Sequence, residues 1–205
     1  MNKPNQAKSK FVAVASIAAE LSAVMQVAKE ISLAAANAKA IAFRAGEKAK
    51  GFQPITDFIN ELAKETIELV NKINEHASSL YQMTVDEHRL AEACQYLETV
   101  YTLAEDAPYA SSLDEPMELA QQRTQQCRMQ FTTHVNQLLE QLEEVMHPAR
   151  AARVIAANSR IEASQAGEYL QSLQAVAESV DNAAQVIHDK VQRCRSALTV
   201  INITE

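Results

Sequence analysis

The side chains that could bind a metal or carry out catalysis are few, and their spacing does not bring them together. The five histidines are His76, His88, His134, His147 and His188. His88 and His134 fall at one level if the middle of the chain folds as two antiparallel helices, but a zinc site needs further converging ligands. The other rings are expected to point apart, so we predict surface or half-buried histidines and no metal site.

The three cysteines, Cys94, Cys127 and Cys194, form neither a CxxC motif nor an even set for disulfides, which is typical of a reducing cytoplasm. Cys94 and Cys127 also fall level in the antiparallel arrangement, so we predict that they touch in the core, with an oxidative link as a hypothesis. No nucleophile with its base, no carboxylate pair in a pocket and no phosphate-binding glycine loop can be assembled. We therefore expect a protein that is not an enzyme and binds no cofactor.

The composition predicts long helices. Of the 205 residues, 47% are apolar, and 3 Gly and 5 Pro are too few turn residues for a many-stranded sheet. The net charge is −7, with Lys and Arg spread thinly along the chain. This distribution excludes nucleic acid and anionic membrane as expected partners.

The first 28 residues place three lysines ahead of an apolar run, as a secretory signal does. Glu20 interrupts that run, and the helical spacing of apolar residues continues beyond it. No stretch reaches the roughly 18 charge-free apolar residues of a transmembrane helix. We expect no cleaved signal, no membrane insertion and a cytoplasmic location.

Apolar residues recur at alternating spacings of four and three along four segments, as they do in helices that pack as a coiled coil. The predicted core positions are Val14, Ala18, Leu21, Met25, Ala28, Ser32 and Ala35; Leu62, Thr66, Leu69, Ile73, His76, Leu80, Met83, Glu87, Leu90, Cys94, Leu97 and Tyr101; Cys127, Phe131, Leu138, Leu142, Val145, Ala149, Ala152 and Ala156; and Leu173, Ala177, Val180, Ala184, Ile187, Val191, Cys194, Leu198 and Ile201.

A loop at 106–115 separates two middle segments of about fifty residues each, which must run antiparallel because their connection is short. Asp114 is predicted to cap the next helix with Pro116 in its first turn, and Pro148 to kink the third helix near Val145. The outer segments fold back along this pair. We predict an all-α, antiparallel four-helix coiled-coil bundle that forms one elongated domain over 1–205, with one repeat at about 8–105 and another at about 116–203.

Residues 33–63 and 154–184 align without gaps, and each contains an Ala-Gly-Glu triplet. The only glycines of the chain, Gly46, Gly51 and Gly167, all lie in these segments. A helix that reverses within a few residues needs positive φ angles, which glycine adopts at little cost, so we predict tip turns at all three. The second segment lacks the later glycines, and a helix running straight through Gly167 is the alternative to the turn that we favour.

Together the two segments resemble the signalling tip of methyl-accepting chemotaxis proteins. The first keeps Asn37, Arg44, Ala45, Gly46, Glu47, Gly51, Phe52, Ile55, Asp57, Ile59, Leu62 and Ala63 of the family pattern, and the second keeps Asn158, Ile161, Glu162, Ala163, Ala166, Gly167, Glu168, Val176, Ala177, Glu178 and Val180. In that family the tip is a helical hairpin that pairs with a second hairpin in a homodimer. The resemblance implies that this chain supplies both hairpins itself, as a monomeric pseudo-dimer rather than a homodimer.

The family's tip binds the coupling protein and the histidine kinase of chemotaxis. The resemblance therefore implies a non-catalytic cytoplasmic signalling or scaffold protein that binds coupling protein, kinase or receptors. The implied contact residues are Asn37, Arg44, Glu47, Asn158, Glu162 and Glu168.

Three positions depart from the family pattern, and two of them, Lys29 and Ile41, favour an alternative function. Ile41 replaces a glutamate, Gln165 replaces an arginine, and Lys29 stands where the family commonly has an apolar or aromatic contact residue. The alternative is a structural or adaptor coiled coil that has lost its array partners and binds another regulator through a lateral helix face.

Overall fold

The computed structural model describes residues 3–104 and 107–203, with side chains from Lys10 to Ile201 within those ranges. It contains four long helices: α1 (Lys3–Ala45), α2 (Phe52–Leu103), α3 (Asp114–Ala163) and α4 (Leu170–Ile203). Short 3-10 turns, Gly46–Ala49, Ala110–Leu113 and Gly167–Tyr169, lie in the three connections. The 52 residues of α2 make a rod about 78 Å long.

Each helix packs against its neighbours in the chain, and α4 closes the ring by packing against α1. Short connections make successive helices antiparallel. The predicted all-α four-helix bundle is confirmed, and the described residues contain no strand.

The core consists of one stripe from each helix, and the predicted stripes are right to different degrees. All nine predicted positions of α4 are buried, from Leu173 to Ile201. On α1, Ile17 is buried where Ala18 was predicted, and Ala18 is exposed. On α2, Ala77 is buried and His76 is exposed.

These two errors are shifts of one residue, and they have a common cause. The predicted core position Tyr101 is a separate error, since this residue is 42% exposed near the loop end of α2. Apolar residues on these helices occupy the stripe facing the bundle axis and also the flanks between adjacent helices. Leu62, Leu69 and Met83 lie on such a flank, half-buried against the core. A sequence seam drawn through flank residues misses the axial stripe by one position.

The reversal between α2 and α3 lies closer to the N-terminus than predicted. Asp114 is the first residue of α3 rather than its cap, and its preceding residue makes no side-chain capping bond. The helix pair is shifted by about one turn relative to the predicted alignment, since Cys94 lies against Thr124 where Cys127 was predicted. Pro148 is buried within α3, which is helical on both sides of it.

The reversals at the other end of the bundle use two glycines in the left-handed region. Gly46 and Gly167 both have φ of 57°, and no other described residue has positive φ. The helix does not run through Gly167, since α3 ends at Ala163 and α4 packs back along α3. Gly51 differs, with φ of −68°. The prediction of positive φ is wrong for Gly51.

The four-helix section ends at a charged layer. Lys10 is buried, with its Nζ 2.9 Å from Glu87 Oε2 and 4.3 Å from the centre of the Phe131 ring. Arg128 Nε lies 3.5 Å from the other oxygen of Glu87. Beyond this layer no residue of α2 or α3 is buried. We call the part of α2 and α3 beyond this layer, residues 88–103 and 114–127, the distal hairpin.

By length and composition, one described segment, Lys10–Ala49, could cross a membrane. In the bundle the same segment supplies Ile17, Leu21 and Val24 to the core. A core helix of a bundle passes the same test as a membrane helix, so apolarity alone does not place α1 in a bilayer.

Candidate interaction surface at the tip

The tip comprises the two glycine reversals and the helix turns that lead into them, residues 37–57 and 158–178. A compact cluster of small and large apolar residues lies beneath it. Its buried members are Ala38, Ala42, Ala49, Phe52, Ala163, Ala166 and Leu173. The alanines allow close approach of the helices, while Phe52 and Leu173 fill the space between the two reversals. The surface residues therefore stand on a packed base rather than on open loops.

Five of the six predicted contact residues are exposed at this end of the bundle. They are Asn37, Arg44, Glu47, Asn158 and Glu168. Glu162 is half-buried, because its carboxylate lies against the backbone of the other reversal. A β-carbon built at Gly51 would lie 2.2 Å from Glu162 Oε2. Gly51 thus makes room for a side chain of the second hairpin, which explains a glycine there without positive φ.

An ion pair also connects the two reversals. Lys48 Nζ lies 3.8 Å from Glu168 Oε1, and both side chains are mostly exposed. Within the first reversal, Lys50 Nζ lies 3.3 Å from Glu47 Oε1. Exposed pairs of this kind contribute about 0–1 kcal/mol. They orient the tip charges more than they stabilise the fold.

Equivalent positions of the two hairpins make cross-helix contacts with different chemistry. Ser32 donates to Asn60 Oδ1 at 2.8 Å between α1 and α2. At the aligned positions of the second hairpin, Arg153 Nε lies 3.5 Å from Asp181 Oδ1 between α3 and α4. Arg160 adds a hydrogen bond of 2.7 Å to the same carboxylate, and this bond is the main cause that lowers the pKa of Asp181 below its usual 3.8.

Two exposed apolar side chains at the tip were not among the predicted contact residues. Phe43 is 80% exposed beside Arg44, and Ile161 is 63% exposed beside Glu162. The sequence could have indicated them, because both lie outside the core seam, and a large apolar residue outside the seam of a coiled coil faces solvent or a partner.

The other candidate chemistry is not assembled. Among the described residues, no group of three or more His, Cys, Asp or Glu side chains is placed to hold a metal ion. His76 Nδ1 lies 2.8 Å from Gln141 Oε1, and His134 Nδ1 lies 2.9 Å from the carbonyl oxygen of Gln130. His88 Nε2 lies 3.7 Å from Glu92 Oε1 of its own helix.

The predicted contact between Cys94 and Cys127 is replaced by separate contacts. Cys94 Sγ lies 3.3 Å from Thr124 Oγ1, and Cys127 Sγ lies 3.9 Å from the Met83 carbonyl oxygen. Both are free thiols. The one-turn shift of α3 against α2 brings Thr124 to the level where Cys127 was expected.

Comparisons of this chain with protein-family models, curated proteins and solved structures find no match.

Proposed function

We propose that the protein is a non-catalytic cytoplasmic signalling or scaffold protein that binds a chemotaxis coupling protein or a histidine kinase array component through its tip. The observation that carries the proposal is the pair of Ala-Gly-Glu reversals. Both have their glycine at φ 57°, and both lie at the same end of one bundle. A single chain thus presents the two hairpin tips that the resembled family assembles from two chains.

The exposed residues of the motif support a partner surface. Asn37, Arg44, Glu47, Asn158 and Glu168 reach solvent from helix ends held by a packed cluster. Exposed polar side chains on a rigid support are suited to specific contacts, because little conformational freedom is lost on binding. Phe43, exposed beside Arg44, adds the apolar area that partner binding favours.

The test is binding of the purified protein to purified coupling protein and kinase. Arg44→Glu and Glu168→Lys, made together, keep the net charge and are expected to weaken binding more than tenfold. The matched control is Lys64→Glu with Glu65→Lys, which reverses one charge of each sign on the exposed side of α2. Equal binding by both double variants would rule out the tip as the contact surface.

The alternative is an adaptor coiled coil that binds another regulator through a lateral helix face. Lys29 is exposed on α1 at a position where the resembled family commonly has an apolar or aromatic contact residue, and this favours the alternative. Fluorescence imaging separates the two functions. An array component clusters at receptor patches and disperses when the receptors are deleted, whereas an adaptor with other partners is unaffected by that deletion.

A further inference from the structure

The distal hairpin carries an uncovered apolar stripe. Tyr96 is 75% exposed, Val100 47% and Leu103 83% on α2, and Leu119 is 47% exposed on α3. Spacings of four and three residues place the three α2 side chains on one face of the helix. Half-buried Cys94 lies against Thr124, which brings Leu119 to within about one helical turn of the level of Tyr96.

This stripe lies on the outer side of the hairpin. The opposite side is a groove lined by Ala91, Gln95 and Glu98 of α2 and by Gln121 and Gln125 of α3. The groove continues the stripe that α2 and α3 bury in the bundle, so it faces the side of α1 and α4. Tyr96, Val100 and Leu103 lie on the side of α2 away from the groove residues Ala91, Cys94 and Glu98, and all three are exposed.

The charges around the stripe are self-complementary. Glu115 and Arg123 lie four residues on either side of Leu119, so all three share one face of α3. If two α3 helices cross antiparallel at Leu119, each Glu115 faces the Arg123 of the other copy. A parallel arrangement would place like charges together.

A wider charge asymmetry favours the same arrangement. Residues 90–122 contain seven Asp or Glu and no Lys or Arg. The cations, Arg89 and Arg123, flank this acidic stretch on the side of the bundle body. An antiparallel overlap brings the cations of each copy towards the acidic end of the other, whereas a parallel overlap opposes the two acidic ends.

We propose that the outer face of the distal hairpin joins two copies of this chain in an antiparallel dimer with a twofold axis at Leu119. The four stripe residues expose about 400–500 Å² of apolar side chain per copy, which is comparable to the largest apolar patch on a typical monomer, and such patches are often functional. The interface is smaller than that of an obligate dimer, so a reversible dimer in the micromolar range is expected. The protein is then a monomer only at low concentration.

The dimer would hold its two tips at opposite ends. Two rods of about 78 Å that overlap by about 20–25 Å make a particle roughly 130 Å long. This association does not depend on what the tips bind, so it can be true or false independently of the proposed function.

Sedimentation velocity and small-angle scattering over a concentration series test the dimer. The expected result is a shift from monomer to dimer, with the maximum dimension rising from about 80 Å to about 130 Å. Tyr96→Ser with Leu103→Ser is expected to raise the dissociation constant at least tenfold. Phe43→Ser, which removes an equally exposed aromatic ring at the tip, is the matched control and should leave dimerisation unchanged. A wild-type protein that stays monomeric throughout overturns the proposal.

A charge exchange tests the antiparallel geometry. Glu115→Arg alone places arginine against arginine, and Arg123→Glu alone places glutamate against glutamate, so each variant is expected to remain monomeric. An equimolar mixture restores two opposite-charge contacts and should form the heterodimer. Melting temperatures of both variants, measured in parallel, show that they are folded. Dimerisation of either single variant at the wild-type level, or a mixture that stays monomeric, overturns the geometry.

Discussion

Replacing Gly46 or Gly167 by alanine tests the reversals on which the bundle depends. At both positions φ is 57°, and an added β-carbon would meet nothing within 4 Å. Any loss of stability therefore comes from the backbone. Placing an L-residue in the left-handed region costs about 1–2 kcal/mol. Alanine also lowers the conformational entropy of the unfolded chain, which stabilises the fold by about 0.4–1 kcal/mol. Each variant should therefore lose about 1 kcal/mol of unfolding free energy.

For a chain of this length, 1 kcal/mol corresponds to a fall in Tm of about 2–4 °C. The measurement is urea unfolding followed by circular dichroism, with thermal melts as a second readout. The double variant should lose about 2 kcal/mol if the two reversals are independent. Gly46→Asn and Gly167→Asn are the controls, because asparagine tolerates this conformation better than alanine and should recover part of the loss.

Gly51→Ala separates conformational strain from crowding. With φ of −68° alanine is unstrained there, but its β-carbon would push against the Glu162 carboxylate. Gly51→Ala should therefore lower the free energy of unfolding more in the wild type than in a Glu162→Ala background.

For the two reversal glycines, a higher Tm of Gly167→Ala than of the wild type would refute the predicted loss of stability, since alanine stabilises that position only if the helix runs straight through it.

Three further predictions concern the core. Glu87→Ala should destabilise the fold by about 2–3 kcal/mol in urea unfolding, because it removes the carboxylate that forms an ion pair with the buried ammonium of Lys10. The double variant Lys10→Met with Glu87→Met should recover most of this lost stability, because it removes both charges. The ion pair with Lys190, whose Nζ lies 2.7 Å from Glu20 Oε2, lowers the pKa of Glu20 below its usual 4.5, so this contact stabilises the fold above that pH and is lost as the pH falls through the folded pKa. The difference in unfolding free energy between wild type and Glu20→Gln should therefore shrink on acidification. Burial raises the pKa of Cys194 to about 12, so iodoacetamide should label it at the rate of unfolding, and faster labelling in native buffer would contradict its burial.

The sequence predicted α4 fully and the other helices in part. In α4 the apolar stripe is narrow, so the seam and the buried face coincide from Leu173 to Ile201. In α1, apolar residues surround much of the helix, and periodicity alone cannot choose Ile17 over Ala18. That choice depends on where α2 and α4 stand, which is a property of the packed bundle.

The register of α2 against α3 shows a second limit. The heptad pattern is compatible with several alignments that differ by one turn. The Ala110–Leu113 turn selects one of them, and with it the contact of Cys94 with Thr124. Pro108, Ser111 and Ser112 mark this segment as a loop, but they do not tell at which residue the chain reverses.

By itself the sequence determined that the chain is helical, that four apolar seams run along it, and that its few glycines lie in two aligned segments, because these features depend on local composition and spacing. Only the tertiary structure decided what each glycine does. Gly46 and Gly167 relieve a local backbone conformation, whereas Gly51 accommodates Glu162 from a distant part of the chain. The packing of the two hairpins against each other creates that close approach, and no local pattern encodes it.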